Sequence, residues 1–119
     1  MGGGKDLKER TKQFALRVMR LYRALPRREE ARVIGRQLLR SATSVGANYR
    51  AACRARSRAE FVAKLGIVLE EADETVYWLE LLQESDIVSA RKLEPLVQEA
   101  RELTSIFVAS ICTTKGIAS

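Results

Sequence analysis

Nine arginines lie between residues 27 and 58, and seven of them recur at a spacing of four: Arg28, Arg32, Arg36 and Arg40, then Arg50, Arg54 and Arg58. Four residues of helix advance about 6 Å along the axis and about 40° around it, so both sets fall in one sector of a helical face. The separation is on the scale of successive phosphates along a nucleic-acid strand, and a guanidinium can hold a phosphate through two parallel N–H donors. The plainer alternative is a solvated face, since Arg is a good helix former. Only Glu29 and Glu30 offset these arginines, however, whereas an ordinary solvated face mixes both signs in i,i+4 pairs. Arg17, Arg20 and Arg23 extend the same field on the preceding segment.

Other chemistries are thinly represented. The chain has no His, which removes imidazole as a base, a triad member or a zinc ligand. Cys53 and Cys112 stand alone without a CxxC pattern and read as reduced, core-packed thiols. Ser41, Thr43, Ser44 and Asn48 have no base beside them, so Ser41 and Asn48 are read as hydrogen-bonding groups at a helix–helix or subunit boundary. Glu70, Glu71, Asp73 and Glu74 lack the Glu-x-x-His partners of a di-metal bundle and are expected to pair with arginines within or between chains. Tyr77-Trp78 is either a stacking platform for bases or, more commonly for such a pair, part of a packing surface. Groove-reading motifs, zinc modules and RNA-stacking aromatics are absent, so binding through the arginines is expected to be backbone-directed and salt-sensitive. No catalytic residue, metal or cofactor is expected.

The charge of the whole chain conceals a division. Residues 1–58 carry 16 Lys and Arg against 4 Asp and Glu, a net of +12, and residues 59–119 carry 5 against 11, a net of −6. A basic N-terminal half suits a polyanion, with an acidic half that faces away or pairs with it. At 119 residues and 46% hydrophobic content the chain forms one domain with a real core. No apolar run approaches the roughly 20 residues of a membrane span. The Gly-rich, then charged, N-terminus lacks the apolar stretch of a signal peptide, and a cytoplasmic location is expected.

Four helical patterns position these residues. The first runs from about Asp6 to Leu25 through Leu7, Phe14, Val18, Leu21 and Leu25, and is stopped by Pro26, which is expected to open the second. The second spans about Arg27 to Arg56, with Ile34, Leu38, Ala42, Val45, Tyr49 and Ala52 opposite the arginines. Ser57-Arg58-Ala59-Glu60 is a capping box for the third, which runs to about Gln83 through Phe61, Leu65, Val68, Ala72, Thr75, Leu79 and Leu82. The fourth reaches about Cys112 through Leu93, Leu96, Ala100, Leu103 and Phe107, starting either at an N-cap on Ser89 or nearer Pro95. Helices joined by a few residues predict an all-α, antiparallel up-down-up-down bundle over residues 6–113, with a flexible leader at 1–5 and a flexible tail at 114–119. The third helix is apolar beyond one stripe: Ile67 and Trp78 share one flank, and Val62, Leu69 and Val76 the other. Such a helix is buried on more than one side, either as the central helix or against another copy. Oligomerisation is the favoured reading, with Ile67, Trp78, Tyr77 and Asn48 as interface candidates.

The runs Arg40-Ser41-Ala42-Thr43-Ser44-Val45-Gly46-Ala47-Asn48 and Glu74-Thr75-Val76-Tyr77-Trp78-Leu79-Glu80-Leu81-Leu82 resemble those of the 23S rRNA intervening-sequence proteins, also called four helix bundle proteins. The resemblance covers about Ala15 to Ile111. It implies a bacterial cytosolic protein, a left-turning four-helix bundle and assembly as a ring-shaped homo-oligomer, a homopentamer, in a family often encoded inside insertions in large-subunit rRNA genes and without an established active site. A related branch, the accessory variability determinant proteins of diversity-generating retroelements, forms similar basic pentamers that bind nucleic acid and a reverse transcriptase. Many members carry an acidic residue after Gly-Ala-Asn where this chain reads Tyr49-Arg50-Ala51-Ala52-Cys53-Arg54, which makes its second helix unusually basic. The expectation is a non-enzymatic oligomer that binds RNA or DNA backbone through its arginines. The alternative is an oligomeric protein–protein adaptor with no nucleic-acid role.

Overall fold

A computed structural model describes residues 3–116. Four helices, α1 (Gly3–Ala24), α2 (Glu29–Ala52), α3 (Arg58–Glu84) and α4 (Ala90–Lys115), account for nearly all of them, and no strand occurs among the described residues. Helices of 22 to 27 residues are about 33–40 Å long, so in a molecule of 45 × 24 × 21 Å their axes must follow the long dimension. Connections of four or five residues then force each helix to run back along its predecessor. The register agrees: Thr11 of α1 faces Gly46 of α2, and Tyr22, eleven residues on, faces Gly35, eleven residues back. Each helix packs on its sequence neighbours, and α1 touches α4 more sparsely to close the bundle. Arg10 reinforces that last seam through a two-pronged contact with Glu99, at 2.7 and 2.8 Å, and a third bond to Glu102 at 3.1 Å.

Nearly every residue of the four apolar stripes is in the core, the exceptions lying toward helix ends. Leu21, Leu25, Ile34 and Phe61 are half-buried, while Phe14, Leu38, Leu65, Leu79, Leu93, Leu103 and Phe107 are fully enclosed. Tyr49 packs on Phe107 with ring centroids 5.8 Å apart. The motif serine Ser41 is also fully buried, and it is satisfied across the helix interface. Thr75 Oγ1 donates to Ser41 Oγ at 2.9 Å, and Ser41 Oγ donates to the Leu38 carbonyl at 3.2 Å. Asn48 instead donates to the Ser44 carbonyl of its own helix at 2.9 Å. The cysteines are half-buried and unbonded, Cys53 packing against the core.

Helix boundaries show where local chemistry decides. Pro26 does not open α2: residues 25–28 form the connection, and Arg28, extended at φ −114° and ψ 150°, is an N-cap without a side-chain cap bond. Glu29 and Glu30 in the first turn meet the positive end of the helix dipole there. Ser57 does cap α3, its hydroxyl accepting from the Glu60 N–H at 3.0 Å. Ser89 caps α4, accepting from the Lys92 N–H at 3.3 Å, so Pro95 falls in the second turn. Pro95 and Arg91, whose carbonyl Pro95 cannot serve, are both exposed, which leaves that carbonyl within reach of water. Asp86 takes the left-handed conformation (φ 61°) in the α3–α4 turn, as Asp tolerates better than most residues. Gly116 does so at φ 72° to terminate α4, which runs past the expected end at Cys112. At the other end α1 takes in residues 3–5 of the expected leader. The rest of the expected flexible ends, residues 1–2 and 117–119, lies outside the described residues.

Candidate nucleic-acid interface

The arginine series does not lie on one helix. α2 stops at Ala52, the last buried residue of its stripe, and its end tightens as the Arg54 and Ala55 N–H groups bond to the carbonyls of Ala51 and Ala52. A helix continued to Arg56 would leave no room for the reversal that seats α3, whose cap at Ser57 fixes the next start. Arg54 therefore sits in the turn, Arg58 begins α3 and Arg28 precedes α2. Arg32, Arg36, Arg40 and Arg50 remain on α2, and all seven are exposed. Two of them meet acids: Arg28 lies 3.5 Å from Glu30, and Arg40 lies 3.4 Å from Glu74 of α3. Arg20 is exposed on α1 and Arg17 half-buried.

What the bend brings together is a groove along the α1–α2 seam. Arg50 and Arg54 form one wall of a hollow of about 770 Å³, Lys8 and Lys12 the other, and Thr11, Ala15, Thr43, Gly46 and Ala47 line it as well. These small side chains lower the floor between the helices. A Cβ at Gly46 would stand 3.3 Å from Thr11 Oγ1, so glycine sets how closely α1 and α2 approach. Four cations thus face one another over a shallow channel, with no ion pair to any of them among the described residues. Glu9 is the one acid on the lining, and the Gln13 side chain donates to it at 2.7 Å. Lys8 and Lys12 were not among the expected site residues, although their i,i+4 spacing is the same signal the arginines carry.

Past Thr43 the seam changes character. A second hollow of about 310 Å³ shares Thr43 with the first and is lined by Met19, Tyr22, Arg23 and Leu39. Tyr22 lies close over α2: a Cβ at Gly35 would come within 3.2 and 3.3 Å of two of its ring carbons.

The candidates on α3 divide. Trp78 is half-buried against the protein's own core, its indole N–H donating to Glu74 at 3.1 Å. Tyr77 meets it edge-on with centroids 5.0 Å apart but is 53% exposed, and Ile67 is 47% exposed. The opposite flank has an internal explanation, because α3 packs against both α2 and α4 and Leu69 and Val76 join the core. Of the acidic cluster, Glu74 pairs with Arg40, whereas Glu71 holds a buried Oε1 without a partner among the described residues. No cluster of three metal-ligating side chains occurs among the described residues, and none of their helices is long and apolar enough to cross a membrane.

Comparison with known proteins gives a consistent picture. A family model described as 23S rRNA-intervening sequence protein matches residues 5–109. A 1.70 Å crystal structure of a protein with unknown function from the S23 ribosomal protein family of Bacteroides thetaiotaomicron superimposes with a TM-score of 0.83 at 38% identity, covering 91% of this chain and 96% of that one. No curated protein matches.

Proposed function

Because the chain belongs to the 23S rRNA-intervening sequence protein family, we propose that it is a non-enzymatic, cytoplasmic bundle protein that assembles into a homopentameric ring and binds RNA or DNA by the phosphate backbone. One observation carries the reading. The exposed cations of α2 and of the α1–α2 seam greatly outnumber the acids near them, and those lining the basic hollow have no ion pair among the described residues. Held by rigid helices, they give a field of one sign that attracts a polyanion and is multiplied in a ring. Binding of this kind releases counterions and falls steeply with salt.

The test is a salt series with nuclease-treated protein and labelled RNA and DNA. Each phosphate contact contributes about −0.9 to the log–log slope on B-DNA, so replacing two contacting arginines should make it shallower by about 2. Arg36→Glu/Arg54→Glu should also abolish binding at physiological salt, and a double variant that binds like wild type would sink the reading. A second reading, an oligomeric adaptor with no nucleic-acid role, draws on the same exposed cations, which suit an acidic protein surface as well.

A further inference from the structure

We propose that the α1–α2 seam is a track for a single strand of nucleic acid, with phosphates in its basic half and a base against Tyr22 in its apolar half. The proposal rests on the nucleic-acid reading above and specifies where the strand lies and which form of nucleic acid fits. Three observations carry it.

The first is the shape. The two hollows both border Thr43 and are lined by successive turns of α1 and α2, so they follow one another along the seam. From Lys8 to Arg23 it runs along fifteen residues of α1, about 22 Å, the length of a few nucleotides. Packed helices have axes about 8–10 Å apart, so their seam is a surface groove, far too narrow to seat a duplex, along whose open side one sugar–phosphate chain can lie. A duplex would rest instead on the outward ridge of Arg32 and Arg36.

The second is the division of chemistry along the channel. Lys8 and Lys12 oppose Arg50 and Arg54 at one end, and Met19, Tyr22 and Leu39, together with Arg23, line the other. A strand needs both, a cationic path for phosphates and an apolar or aromatic surface for bases. A phosphate-only ligand would leave the apolar half empty, and an apolar peptide would leave four cations unmatched.

The third is the seat of the aromatic ring. Gly35 has no side chain, and Tyr22 occupies that space while remaining half-exposed to the channel. A ring held this way stacks on a base without first losing its own freedom. The Leu25 methyl that a Cβ at position 35 would approach to 2.7 Å closes the same spot from the other side.

The experiment compares three labelled probes by fluorescence anisotropy: single-stranded dT12, an abasic strand of the same length, and a 12-base-pair duplex. Wild type is set against Lys12→Glu/Arg50→Glu in the channel, Arg32→Glu/Arg36→Glu on the outer ridge, Tyr22→Ala and Tyr22→Phe. The track predicts that the channel variant loses dT12 at least 100-fold, and at least tenfold more than the ridge variant does. Tyr22→Ala should lose dT12 about tenfold and the abasic strand not at all, with Tyr22→Phe restoring the loss. A photo-crosslink from 5-iodouracil in dT12 should map to Tyr22 or Met19 in the wild-type protein, a readout that does not depend on any variant folding. If all probes respond to the ridge variant and none to the channel variant, the track is overturned while backbone binding stands. If no probe binds at low salt, the proposed function itself fails. If the channel variant changes the oligomer mass and leaves dT12 binding intact, the seam belongs to a second copy and the track is overturned.

Discussion

Tyr49 sits at the point where core and ionisation meet. Burial, with the Cys53 thiol beside it, pushes its phenol well above the ordinary value of 10. The folded chain therefore keeps this proton over a range in which the unfolded chain releases it. Stability from this group is complete below about pH 10 and declines above it, by up to about 1.4 kcal/mol per pH unit. Urea titrations from pH 8 to 11 should show the decline in wild type, and Tyr49→Phe should remove that component. Arg10 is shifted in the same direction but has no comparable pH signature. Its bonds to Glu99 hold the guanidinium charged far beyond any accessible pH, so α1 stays tied to α4 at alkaline pH. Ser41 and Thr75, the polar members of two sequence motifs, form a redundant pair in which Thr75 also reaches the Glu71 carbonyl at 2.8 Å. Ser41→Ala should accordingly cost only about 1 kcal/mol, read from the shift in urea midpoint.

At the scale of helices, two glycines separate propensity from packing. Gly66, inside α3, has nothing within 4 Å of where a Cβ would lie. Gly66→Ala should thus stabilise by about 0.5–1 kcal/mol through the unfolded chain alone. Gly46 has the same propensity cost but faces Thr11 at 3.3 Å, and the Thr11 hydroxyl is pinned to the Leu7 carbonyl at 2.7 Å. Gly46→Ala should lose that gain and lower the melting temperature as α1 is pushed outward. Calorimetry of both variants checks the sign of each. The stripes of all four helices were legible because periodicity reports burial directly, and Ser57 was legible as a cap because its side chain acts locally, whereas Ser89 was one of two starts open to the fourth helix. The end of α2 was not. The spacing of Arg50, Arg54 and Arg58 continues the helical period through a turn, and only the need to reverse the chain shows that the helix has stopped.

The same limit applies to the whole molecule. Net charge by half-chain located a basic side, but it could not show that Lys8 and Lys12 would stand across from Arg50 and Arg54, since that depends on the register of α1 against α2. Tyr22 escaped notice for the same reason. An isolated aromatic at the edge of a stripe gains meaning only from Gly35 on the neighbouring helix. The flank holding Ile67 and Trp78 was read as one surface, but the fold divides it, enclosing most of Trp78 and leaving Ile67 and Tyr77 to solvent. The proposed ring would cover those two residues. Light scattering on Ile67→Glu/Tyr77→Glu should then show a smaller mass than wild type at an unchanged helical content, and a wild-type monomer at all concentrations would remove the ring.

The central claim is that the exposed cations of α1, of α2 and of the turn after it bind a nucleic-acid backbone. It is tested most directly by anisotropy of labelled RNA and DNA from 50 to 300 mM salt, comparing wild type with Arg36→Glu/Arg54→Glu and checking the mass in the same buffer. We expect tight binding at low salt, a steep linear log–log decline in the wild type, and no binding by the variant at physiological salt. Binding that is absent at 50 mM salt, or equal in the two proteins, would contradict the claim.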